Sequence, residues 1–584
     1  MPSSAASSPS SRRSVSLLLA AGVLAATAAQ VATPGTAEAA TTVSTTSLAV
    51  ADVAVREDQP TTKLGTATTL RTDGSPFAQS YLRFQVGGHA GAISKAVLQV
   101  YSHTTSDAGV VARPVASTWS ETGTTWATRP TVGAIVAKSG PTQEATWASL
   151  DVTSLVKTNG TVDIALTSTS TTGRSLASRE AGATRAARLV VTSLPAISTV
   201  TVPTTSAVPP LLITPGGAGT RDGSSWSNAG DLVDLPRFVA QRPTGGEIWV
   251  RGDAGPYRPA SSIGLRTGGA AGAPVVVRGV DGTGASTARP VIVGTRTAPY
   301  SSTGNDGNDI FKLYTGAKNL TFSNLSFTNV GTAFNVGGNA QDIAVQDVNA
   351  TNVRRFFTNY LGAGETTANL SGLTMRRVTV KGFSKSVLRL ANDSHRVLLE
   401  DVTGDSERQD GDDFAMGVVL DGTAHDVVMR RVVMRNAHDS LHAYMNGDGF
   451  ATERGVYDVR LEDTLATGNT DAGYDLKSTR TTLVNARAED NKRNFRFWAA
   501  DTTVQGCTGL APRTRGGSGS QAQVWAGANA GVTLSGCTLQ DASAATIVFD
   551  LDTGARVTTT GTVLSHSSSA QLKRLASGAA LQLG

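Results

Sequence analysis

The chain is expected to be all-β, a β-sandwich followed by a right-handed parallel β-helix, and three observations predict this. Glycine fills 62 of 584 positions, while aromatic residues are only 5% and charged residues 17%. That balance favours short strands and many turns over a helical bundle or a disordered chain. Between residues 45 and 195, short β-branched runs alternate with Gly, Ser and Asp turns, as in a sandwich. From residue 318 onward the chain repeats itself.

A chain of this length holds two or more cores. Its formal charge of +5 comes from 51 basic and 46 acidic residues with no basic block. Nucleic acid and membrane surfaces are therefore not expected partners. At the N-terminus, Arg12 and Arg13 precede an apolar stretch from about Val15 to Ala28, and small residues follow at Ala37–Ala40. This is the layout of an export signal over residues 1–40, and the paired arginines fit the twin-arginine route. The apolar run is short and rich in alanine, so a membrane anchor is disfavoured, and no later segment is suited to spanning a bilayer. A secreted, extracellular protein is expected.

The sandwich is placed at residues 41–195. A Thr- and Pro-rich spacer, LPAISTVTVPTTSAVPPLLIT, marks a linker at 196–212, and residues 213–584 form the β-helix. Within that region NLTFSNLSF, DIAVQDVNA, GLTMRRVTV, RVLLEDVTG, DVVMRRVVM, DVRLEDTLA, TTLVNARAE, TTVQGCTGL, GVTLSGCTL and RVTTTGTVL stack in one register. Their shared position falls at Phe322, Val345, Met375, Leu399, Met429, Leu461, Leu483, Val504, Leu534 and Thr559, 21 to 32 residues apart. Apolar residues alternate within each segment, so one side of each strand faces inward. A strict leucine-and-helix pattern is missing, which disfavours leucine-rich repeats. Seven or eight residues past the shared position stand Asn329, Asn352, Asn436, Asn469 and Asn491, expected at left-handed turns. Cys507 and Cys537 occupy equivalent places in successive coils, within disulfide reach; a bridge and a buried pair of thiols are both open.

Alternation also sorts the side chains of the central coils. In GYDLKS, Tyr474 and Leu476 point inward and Asp475 and Lys477 outward. In NFRFWA, Phe495 and Phe497 point inward and Arg496 and Trp498 outward. Reading SLHAYM as the preceding strand puts Leu441 and Ala443 in, and His442 and Tyr444 out, with Trp525 extending the outward patch. Asp471 and Asp475 then flank a turn, and Asp448 sits in the loop entering that coil. Three oxygen-bearing acids meeting there need a cation, and a flexible loop of hard ligands suits calcium.

Two resemblances sharpen these expectations. The stretch EDQPTTKLGTATTL…SYLRFQV…STWSETGTTWATRP…RLVVTS resembles the secreted jelly-roll module called the DNRLRE domain, related to carbohydrate-binding module family 96. The resemblance implies binding of acidic polysaccharides, with a spacer role as the alternative; Trp119 and Trp126 are either sugar-stacking or core residues. NGDGFA followed by NTDAGYDL resembles the NADGFA…NSDDGWDL pattern of family 9 polysaccharide lyases, parallel β-helix enzymes that cleave acidic pectic chains. This implies calcium at Asp448, Asp471 and Asp475, although Ala472 replaces one of the family's acids. The family's catalytic lysine falls at Arg496, in RNFRFW.

The resulting expectation is a calcium-assisted lyase for a uronic-acid-containing polysaccharide. Arg496 is its base and Lys477 the substitute base; His442 or Tyr444 is the proton donor, and Trp498, Trp525 and Arg389 hold the substrate. The alternatives are a glycoside hydrolase using Asp412 and Asp413 of RQDGDDFAMG with Asp439 or Asp475, a non-catalytic binding protein, and a C5-epimerase. A monomer is expected.

Overall fold

The computed structural model describes residues 43–89, 93–156, 158–193, 208–359 and 368–584. The expected export signal and most of the expected linker lie outside the described residues.

The first region is an antiparallel sandwich. Its long opening strand, Val43–Arg56, pairs first with Arg188–Ser193 and then, past an irregularity between Ala49 and Ala51, with Phe77–Val86. One strand thereby serves both sheets, the usual function of a bulge at a sandwich corner. Leu82, Phe84, Leu98, Val100, Ile164, Leu166 and Leu189 fill the space between the sheets. Trp119 is buried, with its ring 5.7 Å from that of Tyr81 and the Arg83 guanidinium 4.6 Å from its centre. It is therefore a core residue and is not available to a sugar. Trp126 stays half-buried between Phe77 and Arg129.

The second region is a parallel β-helix of 31 strands. The expected register holds through every coil tested. Phe322 pairs with Val345, Val345 with Met375, Met375 with Leu399 and Leu399 with Met429. Met429 continues to Leu461, then Leu483, Val504, Leu534 and Thr559. These side chains line one continuous core, closed at its first coil by Leu232, Leu235, Phe238 and Val239 from the short helix Leu235–Ala240 and the turn before it. A solenoid needs such a cap because its end coil has no neighbour to cover it.

The turns depart in part from expectation. Asn329, Asn352 and Asn436 do adopt positive φ, of 55°, 52° and 60°. The regular left-handed position, however, lies two residues after the shared core position, at Asn324, Asp347, Arg377, Asp401, Arg431, Asp463, Asn485, Gly506, Gly536 and Gly561. Asn469 and Asn491 instead form an interior ladder. Both are fully buried, and Asn469 Nδ2 donates to Asn491 Oδ1 at 2.8 Å. A buried amide that finds such a partner satisfies donors that would otherwise be stranded in the core. Cys507 and Cys537 form a disulfide, with their Cα atoms 4.4 Å apart. No helix among the described residues is long and apolar enough to cross a membrane.

Candidate functional site

The central coils are built by strands Gly447–Thr452, Ala472–Leu476, Arg493–Phe497 and Ala522–Ala526. Phe450, Tyr474, Phe495 and Val524 align inward, and the rings of Phe450, Tyr474 and Phe495 stack 5.0 and 5.3 Å apart. The next residue along each strand faces the other way. This gives the outward row Thr358, Arg389, Val419, Ala451, Asp475, Arg496, Trp525 and Asp550. The sequence placed Asp475, Arg496 and Trp525 in that row, and the register agrees.

Two placements need correction. SLHAYM is not a strand: Leu441 is 63% exposed, and residues 436–446 form a loop. The strand of that coil is Gly447–Thr452, so Asp448 lies within it rather than in the entry loop. The alternation of SLHAYM resembles a strand, but glycines in NGDGFAT obscured the true one. Asp471 immediately precedes its strand and Asp475 lies within it, so they do not flank a turn.

The loop brings one of its predicted residues, Tyr444, back to the row. Arg496 Nη2 donates to Tyr444 Oη at 3.2 Å. His442 lies beside Asp439, which is fully buried, with Nδ1 2.8 Å from its carboxylate. That hydrogen bond raises the imidazole pKa above its ordinary value and leaves Nε2 as the nitrogen free to exchange a proton. The Asp439 carboxylate also accepts from the Asn446 amide, which ties the loop to its own base.

Behind the loop lies a dense set of charges. Asp471, fully buried, meets Arg493 at 2.6 Å, Arg496 at 3.2 Å and Lys492 at 3.3 Å. Asp475 accepts from the Trp498 indole at 2.6 Å and faces Lys477 at 3.1 Å and Arg496 at 3.6 Å. Asp448 accepts from the Ala472 amide through Oδ1, while its buried Oδ2 has no hydrogen-bond partner. Burial, then the carboxylates of Asp475 and Asp471, push the Asp448 carboxyl well above the usual range. Burial works to lower the pKa of Arg496, but Asp475, Asp471 and Tyr444 outweigh it and raise it. The same contest at Lys477 is won by Asp475 and Glu453. Both expected bases are thus held protonated, which opposes the base role assigned to them.

Trp498 and Trp525 are half-buried, their rings 4.6 Å apart, with the Arg496 guanidinium 4.7 Å from one and 5.1 Å from the other. Arg389 lies four coils away in the same row and reaches Asp421 at 3.2 Å. Near it stands a group the sequence reading missed. Burial lowers the Lys385 amine to about 8, with Asp412 opposing and Arg355, Arg389 and Arg354 assisting. Asp412 is clamped by Arg354 at 2.7 Å and by Ser384 at 2.6 Å, which makes it a poor proton donor for hydrolysis. The register of Arg355 with Ser386 would have located this cluster, but residues on different coils show no spacing signal in sequence.

Three groups among the described residues could hold a metal ion: Asp413 with Asp439 and His442, Asp393 with His395 and His425, and Asp52 with Glu121 and Glu180. The expected set Asp448, Asp471 and Asp475 fits calcium poorly. That ion takes six to eight oxygens, whereas both oxygens of Asp471 and of Asp475 already meet cations or an indole N–H.

Solved structures with a similar chain path include the Agl-KA catalytic domain, at 10% identity and TM-score 0.45 over 93% of this chain and 97% of that one. The catalytic domain of a GH87 alpha-1,3-glucanase in complex with nigerose matches at 12% and 0.32, over 92% and 97%. Pectate lyase Pel9A matches at 14% and 0.31, over 58% of this chain and 80% of that one. At such values the likeness concerns fold alone. No curated protein matches the sequence. Residues 43–193 match the family model of carbohydrate-binding module family 96, so the sandwich is similar to that family.

Proposed function

We propose that this chain is a secreted polysaccharide-active enzyme whose β-helix groove cleaves a uronic-acid-containing chain by β-elimination. The observation that carries this reading is the stretch of the outward row between Arg389 and Arg496, cationic at each end, with Trp498 and Trp525 beside Arg496. From Arg389 to Arg496 the row climbs four coils, or about 19 Å at about 4.8 Å per coil. An acidic chain laid along the axis meets Arg355, Lys385 and Arg389 at one end and Arg496 at the other. The sandwich, similar to family 96, would hold the same polymer nearby.

Each side chain then has a task. The Arg496 guanidinium, held cationic, pairs with the uronate carboxylate and makes the adjacent C5 proton acidic. His442, oriented through Nδ1 by Asp439, takes that proton at Nε2. As the bond from C4 to the glycosidic oxygen breaks, Tyr444 returns a proton to the leaving oxygen, and a carbon–carbon double bond remains in the product. Trp498 and Trp525 stack on flanking sugars. Lys477 holds Asp475 in place. Calcium, implied by the resemblance at Asp448, Asp471 and Asp475, is given no step.

The test is ultraviolet absorbance of the unsaturated product on a panel of acidic and neutral polysaccharides. Growth of absorbance on at least one uronate polymer, and on no neutral glucan, is the expected result. New reducing ends without absorbance would make the protein a hydrolase, and inverted C5 centres without cleavage an epimerase.

A further inference from the structure

We infer that Lys492, Arg493 and Arg496 replace the cation of this groove, so that the site binds a substrate carboxylate with built-in charge and needs no metal. The role of Arg496 rests on the functional reading above; the replacement itself does not.

The argument is one of charge and valence. Three carboxylates, Asp448, Asp471 and Asp475, stand where the sequence led us to expect a calcium ion. Four cationic side chains face them: Lys492, Arg493 and Arg496 at Asp471, and Lys477 with Arg496 at Asp475. The Lys492 amine is fully buried, and its Nζ also donates to the Ser518 carbonyl at 3.1 Å. A buried lysine stays charged only with such partners, so Asp471 is committed to it. An ion entering here would compete with Lys492 and Arg493 for Asp471, the one acid that pairs with either of them among the described residues. The remaining oxygen without a hydrogen-bond partner is Asp448 Oδ2, and one oxygen cannot form a calcium shell.

The same cations stand beside Ala472, where the resembled pattern has an acid. The register partner of Ala472 on the next coil is Arg493, whose guanidinium reaches Asp471 across the strand. A fourth acid at 472 would face a cation with no room for an ion between them.

Calorimetric and thermal-melt titration of the full secreted chain with calcium tests this without any turnover. The melting temperature is expected to be the same in millimolar calcium and in chelator. The double variant Ala472→Asp, Arg493→Ser should acquire a calcium-dependent rise of about 1–2 °C at ten times the Kd. If the wild-type chain binds calcium and Asp471→Asn abolishes that binding, the inference is overturned, even should the double variant fail to fold. A calcium response removed by Asp439→Asn but kept in Asp471→Asn places an ion at the loop that carries His442 and overturns the claim that the site needs no metal. A chain that ignores calcium yet cleaves nothing upholds the inference, while the functional reading falls.

Discussion

The same ion pair occurs in two settings on this solenoid. Along the outer turns, Arg377 meets Asp347, Arg431 meets Asp401 and Arg480 meets Asp458, each at 2.6 Å, with the arginines more than half exposed. In the groove, Arg493 meets Asp471 at the same 2.6 Å, but the two side chains are 5% and 0% exposed. Distance therefore does not distinguish them; solvent does. On the turns water screens the pair and competes for each partner, leaving a few tenths to about 1 kcal/mol. In the groove neither partner has water to fall back on, so each fixes the other's charge and position. The turn pairs decorate a backbone conformation, whereas the groove pairs define a site.

Removing the central carboxylate should break the comparison most forcefully. Asp471→Ala strands Lys492 and Arg493 in the interior, leaves Arg496 to Asp475, and is expected to cost about 3–5 kcal/mol in denaturant unfolding. A loss no larger than that of a turn pair would mean water reaches the cluster. Next in size, Arg496→Ala should lower kcat/KM on the cleaved polymer about 10²–10³-fold, and Arg496→Lys should recover part of it, since lysine restores charge but not the planar fork. Full activity in Arg496→Ala would move the carboxylate site elsewhere.

The third prediction concerns pH. Asp439 raises the His442 pKa, so the neutral base appears only as pH climbs through that raised value. Asp439→Asn removes the cause, and the rising limb of the rate profile should shift to lower pH while its plateau falls. An unmoved limb in both Asp439→Asn and His442→Gln would assign the limb to another group. The smallest effect belongs to the turns: Arg431→Ala should change stability by less than about 1 kcal/mol and leave turnover untouched.

Much of the fold was legible in the sequence. Ten core positions read from aligned segments pair strand to strand without a slip, because a one-residue error would turn every apolar side chain outward. The left-handed turn two residues later was missed, since Arg377 and Arg431 share it with Asn, Asp and Gly and so hide a compositional signal. Asparagines 469 and 491 misled for the opposite reason: they have the right residue type, but their amides serve a buried ladder. SLHAYM misled because alternation is weak evidence over six residues when a glycine-rich neighbour competes for the strand.

By itself, then, the sequence determined the sandwich, the solenoid, its register and the outward placement of Asp475, Arg496 and Trp525, since all of these follow from local periodicity and repeat. Tertiary structure alone decided that Lys492 and Arg493 close on Asp471, that Tyr444 reaches Arg496, and that Lys385 gathers with Arg355 and Arg389. Those contacts join residues on different coils, and the field each carboxylate feels depends on how much water the covering loop excludes, a quantity that no spacing along one chain encodes.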